Sequence, residues 1–279
     1  MERIRYYERP ETVEEALKLL GARRNRAVVL AGGTSLSLRL PIGVDTLIDL
    51  SRTGLKGIED RGDATAILAC TPIADLIDAS PFKDSYGGLL SKAAQRISST
   101  PLRNQITVGG NAIQVYPWSD LPPVLLALNA RFVTAGPQSR ELTAAEFYAA
   151  HPQKILADDE ILTEIRIPKA VGRAIGSFVK VTRTKVDYAT LSVTVIGWFS
   201  GKQVTDCSVA VGAVRPLPQR VPQAEEEIRG RIPTREDVIR AAARAAGAVD
   251  PSRDYRFGTE YRRHLVKVWV KRCLHEVVL

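Results

Sequence analysis

Two glycine pairs constrain this chain more than any other feature: Ala31-Gly-Gly-Thr-Ser35 and, about seventy-five residues further on, Thr107-Val-Gly-Gly-Asn111. Paired glycines let a backbone approach another group closely, and they leave N–H groups outward for phosphate oxygens. The first pair follows the strand-like run Ala27–Leu30. The second runs on through Pro117 to Asp120, whose carboxylate suits a ribose hydroxyl. Alone, each reads as a plain turn. Together, each with its hydroxyl or amide partner, they point to a long diphosphate ligand held at two points.

At 279 residues the chain fits two domains or three small lobes. Thr12-Val-Glu-Glu15 reads as a capping box opening a helix on Val13, Ala16, Leu17 and Leu20, which Gly21 stops. Strands are expected at Ala27–Ala31, Thr46–Leu50, Thr65–Cys70, Ala130–Thr134 and Glu160–Ile167. Thr71-Pro72 reads as the cap of a short helix, Leu89 to Ile97 as a helix face, and Asp120 as the start of a helix over Leu121–Leu128. A second capping box lies at Thr143 and Glu146, and Pro168–Gly172 is the linker candidate. Beyond it, Ser177–Thr182, Leu191–Phe199 and Cys207–Val214 read as a three-stranded antiparallel meander. Helices follow over Thr234–Ala248 and Thr259–Val277, the latter presenting Leu265, Val268, Trp269 and Leu274.

Composition removes several function classes. The net charge of +8 is spread through Arg23-Arg24, Arg229–Arg231, Arg262-Arg263 and Lys271-Arg272 without an aromatic or zinc-finger motif, which argues against nucleic acid. Acidic partner subunits or an anionic cofactor answer such a surface as well. No run approaches eighteen apolar residues and no leader pattern opens the chain, so a cytoplasmic protein without a membrane span is expected. Cys70, Cys207 and Cys273 lack metal spacing and read as small buried hydrophobes. His151, His264 and His275 do not cluster. Walker, Gly-x-Ser-x-Gly and Gly-x-Gly-x-x-Gly motifs are missing, which removes P-loop, hydrolase and Rossmann readings.

Pro101-Leu-Arg-Asn-Gln-Ile-Thr-Val-Gly-Gly-Asn111, with Pro117, Ser119-Asp120 and Leu125–Leu128, resembles the FAD-binding medium subunit of molybdenum hydroxylases. That family includes xanthine dehydrogenases and aerobic carbon monoxide dehydrogenases. The likeness covers nearly the whole chain, continuing through Lys180-Val-Thr-Arg183 and Lys185 to Ala224-Glu225 and Tyr261–Leu265. Its central motif is specific and its C-terminal ones are loose. It implies an α+β fold: a two-lobed, PCMH-type FAD-binding domain over 1–168, with lobes of about 1–55 and 56–168. A smaller α+β domain over 173–279, with the three-stranded sheet and a helical bundle, follows.

The resemblance also implies a site. FAD would be held by Val29, Leu30, Ala31, Gly32, Gly33, Thr34, Ser35 and Leu36, by Thr107, Val108, Gly109, Gly110 and Asn111, and by Ile97, Asp120, Leu162 and Lys180. Ser35 stands where relatives often carry an acid. Asp120 reads also as a helix N-cap, Ile97 as core and Lys180 as a solvated strand lysine. Arg183 and Lys185 resemble a basic loop that tunes the flavin or attracts an anionic acceptor. The FAD would be non-covalent, since these loops hold no histidine or cysteine to link it. No residue need act as acid or base on an organic substrate.

The molybdenum cofactor and [2Fe-2S] clusters would belong to a large and a small partner subunit, with electrons passed on to NAD or another acceptor. Some relatives carry an extra cluster in this subunit; this chain lacks the cysteines for one. A self-sufficient FAD-dependent oxidase or dehydrogenase is the rival reading, and a cofactor-free basic binding module the third.

Overall fold

In the computed structural model, which describes residues 4–184, 187–253 and 256–279, the apolar runs become twelve strands and six helices of more than four residues. In chain order these are β1 (Tyr6–Glu8), α1 (Val13–Arg23), β2 (Ala27–Leu30), β3 (Thr46–Asp49), β4 (Ile58–Asp60), β5 (Ala64–Leu68), α2 (Leu89–Arg96), α3 (Val108–Ile113) and α4 (Leu121–Ala127). Then come β6 (Arg131–Ala135), β7 (Arg140–Thr143), β8 (Ile161–Pro168), β9 (Arg173–Val181), β10 (Leu191–Ser200), β11 (Gln203–Gly212), β12 (Gln219–Arg220), α5 (Arg235–Ala248) and α6 (Thr259–Val278). The chain is α+β and forms two compact units, each assembled from three lengths of sequence.

The first unit comprises residues 1–75, 99–114 and 130–167. Its three-stranded sheet runs β1-β3-β2, all parallel, and buries Ala16 and Leu20 of α1 with Ile48, Leu50 and Leu55. Helix α1 continues through Gly21 to Arg23 and ends where Arg24 takes a φ of 39°. A single glycine costs a helix interior only about 1 kcal/mol, too little to stop it. Only half of the first capping box forms. Thr12 accepts from the Glu15 N–H, while the Glu15 carboxylate accepts from Glu11. The second sheet runs β4-β5-β8-β6-β7 around Ile67, Phe132 and Ile165. The Thr143–Glu146 capping box is complete. Thr71 does not cap a helix: its hydroxyl donates to the Gly57 carbonyl and accepts from the Gly57 N–H, and the helix begins only at Asp75.

The second unit comprises 76–98, 115–129 and 168–279. The three-stranded meander β9–β10–β11 is present, with Lys180 opposite Ser192 and Ser192 opposite Gly212. A two-residue fourth strand, β12, extends it beside β11. One face packs Val193, Val195, Val209 and Val211 against Ala241, Ala245, Val266, Val270 and Leu274 from α5 and α6. The buried stripe of α6 runs through Leu265, Val266, Val270, Cys273, Leu274 and Val277; Trp269 packs half-buried against the same core, and Val268 lies off it, half-buried. Helices α2 and α4 also belong to this unit, and the Ser208 hydroxyl donates to the Ala127 carbonyl at 2.8 Å. The expected linker is the turn between β8 and β9.

Candidate functional site

In the first unit the two glycine turns meet. A Cβ built on Gly32 would stand 1.9 Å from the Gln105 carbonyl oxygen and 3.2 Å from the Thr107 nitrogen, so only glycine fits there. Val29 and Leu30 end β2, half-buried, and Ala31-Gly32 bends away from it. Gly33 follows with a φ of 70°, in the left-handed region where glycine is favoured. Ser37 donates to the Gly33 carbonyl at 2.9 Å, and Leu38 and Arg39 both donate to that of Ser35. The N–H groups of Gly32, Gly33, Thr34, Ser35 and Leu36 donate to nothing among the described residues. A run of unspent donors on a turn that passes through positive φ is a nest, and a nest suits an anion.

The second turn corrects the sequence reading in its physical reason. Thr107–Asn111 opens the short helix α3, with the Thr107 hydroxyl accepting from the Gly110 N–H at 3.2 Å. Its donors are not outward. Val108 donates to Thr71, Gly109 to Ala69 and Asn111 to the Thr107 carbonyl, at 2.8, 2.9 and 2.9 Å. Gly109 is a glycine because a Cβ would stand 2.7 Å from that of Ala69. Gly110 is exposed, and a Cβ there would meet only the Thr107 hydroxyl, at 2.8 Å. The group left over is Asn111 Oδ1, buried and without a partner among the described residues.

Leu162 is buried on β8 opposite Thr134. Its strand is anchored by buried carboxylates. Glu160 accepts two hydrogen bonds from Arg140, at 2.7 and 2.6 Å, and others from Thr134 and the Ala157 N–H. Burial opposes ionisation of Glu160, but these bonds prevail and hold the carboxyl below its ordinary range.

The remaining residues lie in the second unit. Lys180 is not solvated. Its ammonium stands 2.7 Å from Asp120 Oδ2 and donates to the Arg96 carbonyl at 3.2 Å. Asp120 makes no capping bond at the start of α4, so the N-cap role is not realised. Its Oδ1 is buried without a partner among the described residues. Burial pushes this carboxyl up to about 6, against the pull of Lys180 and Arg96. Ile97 closes α2 and is buried. Arg183 is exposed, and Lys185 lies outside the described residues.

Sequence reasoning missed Gln105, whose carbonyl presses on Gly32, and Arg96, whose backbone oxygen accepts from Lys180 and whose charge acts on Asp120. Neither contact leaves a signal in residue type. Among the described residues, no three His, Cys, Asp or Glu side chains are grouped to hold a metal ion. None of their helices is long and apolar enough to cross a membrane. Burial pushes the thiols of Cys70, Cys207 and Cys273 up to about 11, 12 and 12.

Two family models match the chain in succession. Residues 2–170 match the FAD binding domain in molybdopterin dehydrogenase, and residues 176–277 the CO dehydrogenase flavoprotein C-terminal domain. The chain is 32% identical to the carbon monoxide dehydrogenase medium chain of Hydrogenophaga pseudoflava, over 96% of this chain and 95% of that one. It is 30% identical to the glyceraldehyde dehydrogenase medium chain of Sulfolobus acidocaldarius, over 97% of each. The solved structure of the Hydrogenophaga pseudoflava carbon monoxide dehydrogenase lacking the Mo-pyranopterin moiety of its molybdenum cofactor superposes with a TM-score of 0.91. That match has 32% identity and covers 98% of this chain and 96% of that one.

Proposed function

The chain belongs to the family of FAD-binding domains of molybdopterin dehydrogenases, and we propose that it is the electron-transferring flavoprotein subunit of a multi-subunit molybdenum hydroxylase. The observation that carries this reading is the Gly32 turn, pressed onto Gln105 and Thr107 with its successive N–H groups unspent. These residues fit FAD. The nest suits a pyrophosphate, while Asn111 Oδ1 and Asp120 Oδ1 are buried acceptors left for ligand hydroxyl or N–H donors. When bound, FAD supplies reversible uptake and release of electrons.

The chain's own part is to hold and tune. Gly32 to Leu36 would donate to the diphosphate of a bound FAD, and Gly32 keeps this turn in register with the second. Thr107, Val108, Gly109 and Gly110 set the position of Asn111 by spending their own groups on the protein. Val29, Leu30, Ala31 and Leu162 of the first unit, and Ile97 of the second, would offer the cofactor apolar contacts. Lys180 places a positive charge that favours a reduced, anionic flavin.

The dispersed cysteines and histidines supply no ligand set for molybdenum or for an iron–sulfur cluster. Those centres therefore fall to a large molybdopterin-binding and a small [2Fe-2S] subunit, with NAD or another acceptor downstream and the complex in the cytoplasm. Acid precipitation tests the cofactor: the supernatant should carry flavin that runs as FAD, and flavin held in the pellet refutes the non-covalent mode. Comparing turnover by the lone chain and by the co-expressed complex tests the subunit role. Oxidation of a small organic substrate by the lone chain at the complex's rate would establish a self-sufficient flavin enzyme instead.

A further inference from the structure

Arg240 and Arg244 of α5 are answered by the chain's own carboxylates, Arg240 by Glu227 and Asp237 and Arg244 by Glu227. The outer face of α6 differs. From residue 264 to residue 275 it holds no aspartate or glutamate, and Lys267, Lys271 and Arg272 stand exposed with no ion pair among the described residues. His264 and His275 flank them, also exposed. Lys267 and Lys271 are four residues apart on one helix face, where like charges repel and weaken the helix. The helix dipole rewards a cation only in the last turn, where His275 stands; the two lysines lie one and two turns before it. Val268 sits half-buried in the stripe, and with Lys271, Arg272 and His275 it lines an open concavity of about 400 Å³. Arg272 is held in place, its guanidinium carbon 4.5 Å from the centre of the Trp269 ring, which itself packs against the core. A guanidinium stacked by its face keeps its edge N–H groups for a carboxylate. Acids close the stripe at both ends, Glu260 paired with Arg263 and Glu276 accepting from Ser177 at 2.7 Å.

We propose that this face of α6 docks an acidic, amphipathic segment of a partner subunit, which sets carboxylates on Lys267, Lys271 and Arg272 and an apolar side chain on Val268. Charge complementarity selects the occupant. The stripe from residue 264 to residue 275 is about 16 Å long, three turns of a peptide helix and too long for one small anion. Val268 and the methylene stems of Lys271 and Arg272 offer apolar surface that a row of phosphates cannot use. The carboxylates of Glu260 and Glu276 stand where a nucleic-acid backbone running on past the stripe would be repelled. A second copy of the same face would set cation against cation. That the segment belongs to a subunit of the same complex rests on the reading given above. Unpaired exposed charges of this kind speed encounter and fix register, so their removal should weaken docking most at low salt.

The test uses the full-length chain, tagged and co-expressed with the large and small subunits. Wild type is compared with K267E/K271E/R272E, with the neutral pair K267Q/K271Q, and with K18E/K154E/K202E, which makes the same charge change at lysines exposed elsewhere. At low salt the α6 reversal should retain the partner subunits at least about tenfold less, the neutral pair should lose part of them, and the control none. In the wild-type complex, carbodiimide should couple Lys267 or Lys271 to an aspartate or glutamate of a partner subunit, and both lysines should be acetylated more slowly than in the lone chain. Urea midpoints check that each variant is folded; if the reversal unfolds the chain, the neutral pair and the shielding of the lysines decide. Undiminished retention of the partners by the folded variants would overturn the proposal. Coupling of these lysines to a second copy of this chain, or a nuclease-sensitive polynucleotide held in place of a partner, would overturn it too. Partner subunits that co-elute while both lysines react as in the lone chain would remove this docking site and leave the subunit reading standing. A wild-type chain that retains no partner subunit would refute that reading and this proposal together.

Discussion

Replacing Gly32 by alanine should destroy FAD binding with a far smaller effect on the rest of the fold. The added Cβ would sit 1.9 Å from the Gln105 oxygen and 3.0 Å from its carbonyl carbon, both backbone atoms that no rotamer change can move. One of the two turns must retreat by roughly 1 Å, and overpacking of that kind costs about 1–3 kcal/mol. The retreat also separates the unspent N–H groups of residues 32–36 from Asn111. Losing two such bonds to a charged group costs about 3–6 kcal/mol, which is at least a hundredfold in affinity. Gly21→Ala is the control. That position lies inside α1 with nothing within 4 Å of an added Cβ. It should stabilise by about 0.5–1 kcal/mol and leave the flavin alone. FAD occupancy after gel filtration and quenching of flavin fluorescence on titration read the affinity, and urea midpoints read the stability. A Gly32→Ala protein that keeps FAD at wild-type affinity would refute the cradle.

Two further outcomes follow from the buried carboxylates. Glu160→Gln removes the charge that answers Arg140 by two hydrogen bonds and also receives Thr134 and Ala157. With Arg140 partly exposed, it should cost about 1–3 kcal/mol in urea denaturation, and an unchanged urea midpoint would show the network to be ornamental. Asp120 and Glu160 should pull the pH dependence of stability in opposite directions. The folded value of Asp120, about 6, stands above 3.8 for the free group, so its stabilising contribution is fully present below 3.8 and is lost as pH rises through 6. The size is on the order of 3 kcal/mol. Glu160, held below its ordinary 4.5, contributes above that value and loses the contribution as pH falls through its folded value. D120N should therefore remove the decline between about pH 4 and about pH 6; urea midpoints that still fall across that window in D120N would refute the assignment.

The sequence disclosed elements wherever one periodic face met one core, as in α1 and in the meander of β9 to β11. It concealed β1 and β12, which are three and two residues long: β1 pairs with β3 from a distant segment, and β12, beside its sequence neighbour β11, is too short to show an alternation. The α6 face was misread at Val268, which is apolar yet lies off the core that Trp269 packs against, while Arg262 is buried and donates to the Ala213 carbonyl at 2.7 Å. At the candidate site the positions of the two glycine turns were legible, but not the division of labour between them. Gly109 is explained by Ala69, and Gly32 by Gln105, and neither neighbour is chemically distinctive. Asp120 and Lys180 were visible as single residues. Their pairing joins α4 to β9 across sixty residues, and no local pattern encodes it.

The interleaving of the two units sets a timetable for synthesis. Helices α2 and α4 leave the ribosome early, yet the strands of their own unit begin only at residue 173. At about 5–20 residues per second, those strands and their helices take roughly 5–20 s to emerge. For that interval Leu89, Leu90, Leu121, Val124 and Leu125, all buried in the finished protein, have no sheet to cover them. A nascent chain stalled or cut near residue 170 would therefore display a sticky surface inside what looks, in linear sequence, like a finished domain. Its survival in the cell would depend on chaperones that shield such surfaces until the last third arrives.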